Sequence, residues 1–161
     1  MGVNYFEQET ARSLRIIGNL NTRFMWFKIP DTKMLRYKSG NDNLIADPVP
    51  CDYIALFAGK CSFIECKSSK SSASFSLRYI KDHQLEYLLN SEKCGGKGWF
   101  IINSRKGRGS IKAFAVHPKI VKSWFDQDLK SVKWDDMALQ SISLKRIDNG
   151  CWDFKPIFMM C

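Results

Sequence analysis

The stretch that most constrains this chain is Cys51 to Lys67, CDYIALFAGKCSFIECK. Two β-rich runs, Cys51 to Phe57 and Cys61 to Lys67, flank Ala58, Gly59 and Lys60, where glycine permits a tight reversal, so the stretch reads as a hairpin. Side chains alternate along a strand. Glu65 and Lys67 therefore share one face, while Ser62, Ile64 and Cys66 take the other. A two-residue loop, centred on Ala58-Gly59 or on Gly59-Lys60, sets Asp52 across from Glu65 or from Lys67, about 5 Å away at Cβ. Either register brings all three to one face, whereas a three-residue loop without a bulge sends Asp52 to the other.

Two carboxylates at cross-strand distance repel each other, and a cation between them relieves the repulsion. Hard oxygen donors suit Mg²⁺, with Mn²⁺ able to substitute. A lysine beside such a site can hold a water for in-line attack on a phosphodiester, so the constellation reads as a nuclease centre. The acid-x-Lys triplet alone is cheap: it recurs at Asp31-Thr-Lys33 and Asp128-Leu-Lys130, and its ordinary use is a strand-edge ion pair. Context separates the three. Asp31 follows Pro30 in a turn-like segment and Asp128 closes a helical run, but Glu65 ends an alternating strand with an aspartate one hairpin upstream.

At 161 residues, 45% hydrophobic and 13% aromatic, the chain can bury one real core and reads as a single domain. Lys and Arg number 25 against 16 Asp and Glu, a formal +9, which favours a polyanionic partner such as nucleic acid over a merely soluble basic surface. No stretch approaches the roughly 20 apolar residues of a spanning helix, and the N-terminus carries no signal-peptide core. The six cysteines form no CxxC pair and read as free thiols of a reducing compartment, which points to the cytoplasm or the nucleoid. There is no P-loop and no GxGxxG, so a nucleotide cofactor is not expected.

Along the chain, Asn4 to Gly18 reads as a helix in which Asn4 is the N-cap and Glu7 stands at the capping-box position. Glu9 suits the first turn's dipole. Phe24 to Ile29 reads as a strand. Asp47-Pro48-Val49-Pro50 stiffens the approach to the hairpin. Beyond it, Ser68 to Ser74 is small, hydroxylated and basic, either a flexible linker or a phosphate-contacting loop. Leu77 to Leu89 reads as a helix with Gln84 near its core-facing side, where a satisfied core-edge amide is the bland use. Trp99 to Asn103 reads as a central strand, and Ser104 to Gly109 as a basic turn that grips phosphates or is a solvated hairpin tip. Strand Ile111 to Val116 precedes a helix opened by His117-Pro118. His83 and His117 belong to no recognisable triad. Trp152, Phe154, Ile157 and Phe158 are expected to pack on the domain, and Pro156 argues against a central strand there.

The run from Asp52 through Glu65-Cys66-Lys67, Ser74-Phe75-Ser76-Leu77 and His83-Gln84-Leu85-Glu86-Tyr87-Leu88 resembles the PD-(D/E)XK nuclease superfamily, and within it the RecU-type Holliday junction resolvases. The similarity covers about residues 50 to 125. It implies an α/β, restriction-endonuclease-like core, a central mixed β-sheet flanked by helices. It also implies a metal-dependent endonuclease that cuts four-way junction DNA as a homodimer. By resemblance, Asp52 and Glu65 are metal ligands together with the Cys66 carbonyl, Lys67 activates water, Gln84 supports the centre, and an acidic residue of the first helix completes it: Glu7, with Glu9 as the fallback.

Two departures stand out. Cys51 precedes Asp52, so the family's name-giving Pro-Asp pair is not adjacent, and the segment at about 32–47, where the family carries a DNA-inserting projection, is not clearly similar. The expected DNA contacts are Arg12, Arg15, Lys38, Ser69, Lys70, Arg105, Lys106 and Arg108. The rival readings are another PD-(D/E)XK nuclease, restriction-like or for repair, and a non-catalytic basic DNA-binding module.

Overall fold

The structure, a computed structural model, describes residues 5–30, 49–106, 109–147 and 150–159. Helix α1, Tyr5–Leu20, leads into β1, Phe24–Lys28; then come β2, Tyr53–Phe57, and β3, Lys60–Ser69. A short strand β4, Ser74–Ser76, and a 3₁₀ turn, Leu77–Tyr79, precede α2, Asp82–Lys93. Next are β5, Lys97–Lys106, β6, Gly109–Val116, α3, Pro118–Asp126, and β7, Ser131–Lys133. The chain continues with α4, Trp134–Gln140, β8, Ile142–Ser143, β9, Arg146–Ile147, β10, Cys151–Trp152, and α5, Lys155–Met159.

Six strands form one sheet in the order β1-β2-β3-β5-β6-β8. The β3–β5 pair is parallel and the other pairs are antiparallel, so the sheet is mixed. Parallel neighbours need a long crossover, and here it carries β4, the 3₁₀ turn and α2. Each face of the sheet buries its own core. On one, Phe6 and Leu14 of α1 pack with Tyr53, Ile64, Cys66 and Ile101. On the other, Leu88 of α2 and Val121 and Trp124 of α3 pack with Phe100, Ile102 and Phe114. Trp99 to Asn103 is buried throughout, as expected of a central strand.

The hairpin resolves its own ambiguity. Phe57 pairs with Lys60, leaving a two-residue loop in which Ala58 and Gly59 both have positive φ, 50° and 86°. That twist matches the flanking strands, and it is glycine that takes the more extreme angle without cost. The register runs on to Tyr53 opposite Ile64, which brings Asp52 beside Glu65 rather than Lys67.

Two expectations change. The helix expected over Leu77 to Leu89 is split: Ile80 and Lys81 are extended, and α2 begins at Asp82 and runs to Lys93. The apolar spacing of Leu77 and Ile80 belongs to the 3₁₀ turn, because both side chains are buried under α2 rather than within it. Ser68 and Ser69 extend β3, and Ser71 is held from both sides, its Oγ accepting from Ala73 N and Ser74 N and its carbonyl from Trp134 Nε1 at 3.1 Å. This is a pinned turn, not a flexible linker. The capping role of Asn4, the segment at 32–47 with Lys38, and Arg108 lie outside the described residues.

The chain's last strands and helix complete the α1 side. Trp152 donates from its backbone N to Ser13 Oγ at 2.9 Å and from Nε1 to Glu9 Oε2 at 3.1 Å, while Phe154, Ile157 and Phe158 fill the core beside it. Among the described residues no helix is long and apolar enough to cross a membrane.

Candidate active site

The site lies where α1, β1, β2, β3 and α2 converge. A cavity of about 450 Å³ is lined by Glu7, Lys28, Ile29, Pro30, Val49, Asp52, Glu65 and Gln84. Asp52 sits just before β2, where its Oδ2 accepts from Cys66 N of β3 at 2.7 Å. Glu65 is 4% exposed. Its Oε1 accepts from Lys67 Nζ at 2.8 Å and from Gln84 Nε2 at 2.6 Å. Gln84 reaches it because α2 starts late: as the third helical residue, its Oε1 also accepts from Lys81 N at 3.3 Å. One amide thus closes the helix start and grips the carboxylate.

Glu7 enters from the first turn of α1. Its Oε2 pairs with Lys28 Nζ at 2.7 Å, and its carbonyl accepts from Tyr53 Oη at 2.7 Å. Lys28 lies 5.9 Å over the Tyr53 ring. The hydrogen bond to Glu7 holds the Lys28 ammonium above its ordinary pKa. Glu9, on the same helix, is turned into the core against Trp152, so of the two acidic candidates Glu7 faces the cavity.

Burial dominates the electrostatics. It pushes Asp52 up to about 6, with Glu7 adding to the rise and the Cys66 N–H opposing it. It pushes Glu65 up to about 7, with the Asp52 charge adding and Lys67 opposing. Two carboxyls held close in a largely desolvated site resist ionising together, and a cation between them would let both ionise. Among the described residues, however, no cluster of three or more His, Cys, Asp or Glu donors is drawn tight enough to hold a metal ion. The reason is visible in the bonds: Glu7 is occupied by Lys28, Glu65 by Lys67 and Gln84, and Asp52 by a backbone N–H. The donor set fits a hard divalent cation chemically, once Lys28 or Lys67 swings aside. Cys66 turns its thiol away, to Thr10 Oγ1 at 3.5 Å, so only its main chain faces the carboxylates.

The expected DNA contacts do not converge on this cavity. Arg12 and Arg15 are exposed on the outer side of α1. Ser69 is 4% exposed and its Oγ accepts from Ser71 N at 3.2 Å, so its hydroxyl serves the turn and is not presented to a phosphate. Lys70 is exposed beside that turn. Arg105 and Lys106 stand five and six residues past Phe100, the strand neighbour of Glu65, so Arg105 lies about 17 Å along β5. His117 is the cap of α3, its Nδ1 accepting from Lys119 N at 3.3 Å and its Nε2 paired with Glu92. Sequence reading missed Lys28, whose place in the cavity follows from its pairing with Tyr53, a contact across the segment between β1 and β2 that no local pattern signals.

The family model described as RecU, recombination protein U, matches residues 27–158. Helix α1 and Glu7 fall outside that match. Among solved structures, the chain is similar to Archaeoglobus fulgidus Hjc, a Holliday junction resolvase from an archaeal hyperthermophile, at 15% identity and a TM-score of 0.46, over 81% of this chain and 91% of that one. No curated protein matches. The family match spans well over half of the sequence and contains Asp52, Glu65, Lys67 and Gln84, and the chain belongs to the RecU family of recombination proteins.

Proposed function

We propose that this chain is a divalent-metal-dependent endonuclease that resolves four-way DNA junctions, with Asp52, Glu65 and Lys67 as its reacting centre. The observation that carries this reading is the pair of carboxyls, Asp52 half-buried just before β2 and Glu65 buried on β3, facing one cavity with Lys67 and Gln84 both on Glu65. Membership of the RecU family and a +9 charge support DNA as the substrate.

In this account Asp52, Glu65 and the Cys66 carbonyl would hold the cation, with Glu7 contributing from α1. Mg²⁺ is the expected ion, which when bound neutralises the two carboxylates and stabilises charge building on the phosphate oxygens. Lys67 holds the attacking water in line with the scissile phosphorus. Gln84 fixes the Glu65 carboxylate so that its free oxygen keeps one orientation, which lowers the cost of assembling the site. Lys28, paired with Glu7 at the cavity wall, would supply an ammonium to the substrate phosphate. Two symmetric cuts across a junction call for two such centres, so the working form is a homodimer. Pro30 and Val49 also line the cavity. The reading is tested by incubating purified protein with a labelled four-way junction in Mg²⁺ and in EDTA. Cleavage confined to Mg²⁺ supports it, and cleavage in EDTA removes it.

A further inference from the structure

The crossover between β3 and β5 presents an aromatic residue on a cationic surface. Tyr79 is 41% exposed, although its ring packs at 5.9 Å on Phe75, which is fully buried and packs in turn on Trp134. Arg78 lies with its guanidinium 5.2 Å from the Tyr79 ring centre and donates from Nη2 to Tyr79 Oη at 3.4 Å. The scaffold beneath is well fixed. β4 pairs with β7, Leu77 N donates to the Lys130 carbonyl at 3.0 Å, and Ile80 N closes the 3₁₀ turn on Leu77 O at 2.9 Å. The same ladder sets Lys133 opposite Ser74. Lys70, Arg78, Lys81, Lys130 and Lys133 are all exposed, and among the described residues the acid paired with any of them is Asp128, on Lys130 at 2.6 Å.

We infer that Tyr79, layered with Arg78, stacks on a nucleobase exposed at the branch point of the DNA substrate, and so selects branched over linear DNA. This rests on the junction-resolving reading above. A buried aromatic would serve the core, but here Phe75 and Trp134 already fill it and Tyr79 stands outside. Its orientation is set in advance by Phe75, so little freedom is lost on stacking. Aromatic rings and arginine planes are the two side-chain surfaces on which unstacked bases rest. The flanking lysines supply phosphate contacts that carry no shape information. Position fits as well. Tyr79 is five residues from Gln84, at most about 17 Å between Cα atoms, so it stands within reach of the same DNA as the residues on Glu65. Bases of an intact duplex are already stacked and paired, so the contact is available only where a branch opens them.

The test uses full-length Asp52→Asn protein, which binds without cutting, with a labelled four-way junction competed by linear duplex at moderate salt. Tyr79→Ala in that background is expected to lower the junction-over-duplex preference about tenfold, while Tyr79→Phe keeps it. Lys130→Gln with Lys133→Gln is expected to weaken both substrates alike and to lower the salt slope by about 0.9 for each phosphate no longer neutralised. An unchanged preference in Tyr79→Ala, with the starting protein still favouring the junction, overturns this inference alone. So does a Tyr79→Phe protein as defective as Tyr79→Ala, since the ring would then not be the active part. If the Asp52→Asn protein itself shows no junction preference, the resolving function falls and this inference with it.

Discussion

Gln84 and Glu65 are joined at 2.6 Å by an amide that simultaneously accepts from the backbone N of Lys81, so the first turn of α2 and the carboxylate on β3 share one side chain. Gln84→Ala is expected to destabilise α2 by about 1 kcal/mol through loss of the hydrogen bond at the helix start. It is also expected to slow single-turnover cleavage at least tenfold while leaving junction affinity near that of wild type. Gln84→Glu keeps the acceptor but sets a second carboxylate against Glu65, and it should be slower still at pH 8 than at pH 6. Thermal melting and single-turnover rates separate the two effects.

Asp52 carries a trade between activity and stability. Its folded pKa, raised to about 6 from the ordinary 3.8, means that the metal-free fold is penalised as pH rises from about 4 through 6. Asp52→Asn should therefore melt higher than wild type in EDTA at pH 8, by up to about 3 kcal/mol of stability, with the difference closing toward pH 4. Adding Mg²⁺ at pH 8 should raise the melting temperature of wild type and not of the variant. Cleavage by Asp52→Asn should be abolished. A variant that melts lower than wild type at pH 8 contradicts the electrostatic account.

The two acidic residues of α1 should part company. Glu7→Gln is expected to lose cleavage with a small change in melting temperature, because its exposed pair with Lys28 is worth less than about 1 kcal/mol. Glu9→Ala leaves Trp152 Nε1 unpaired in the core and should cost about 1–3 kcal/mol, with cleavage retained where the protein is folded. The reverse pattern would move the metal site two residues along the helix.

Much of this site was legible because it is local. The hairpin from Cys51 to Lys67 carries its turn glycine, its alternation and two of its carboxyls within one stretch, so Asp52 and Glu65 meet through a two-residue loop. What was hidden depends on residues far apart in the sequence. Lys28 reaches the cavity through the β1–β2 ladder, and Lys130 and Lys133 join the crossover through β4 and β7. Glu9 satisfied the rules for a first-turn acid, yet a tryptophan near the other end of the chain claims it. The late start of α2 was masked because Leu77 and Ile80 keep helical spacing while the backbone between them and Asp82 is extended. Ser69 was read as a phosphate ligand from its position beside the lysine, and the inward turn of its hydroxyl follows from β3 running on two residues further.

The most direct test of the resolving centre is strand cleavage of an end-labelled four-way junction mixed with a tenfold excess of linear duplex of the same length, in Mg²⁺ and in EDTA. Paired cuts in opposite strands at the branch, only with Mg²⁺, made by wild type and by neither Asp52→Asn nor Glu65→Gln, are the expected result. Cutting of the duplex at the junction's rate, cutting in EDTA, or cutting by either variant at the wild-type rate would contradict it.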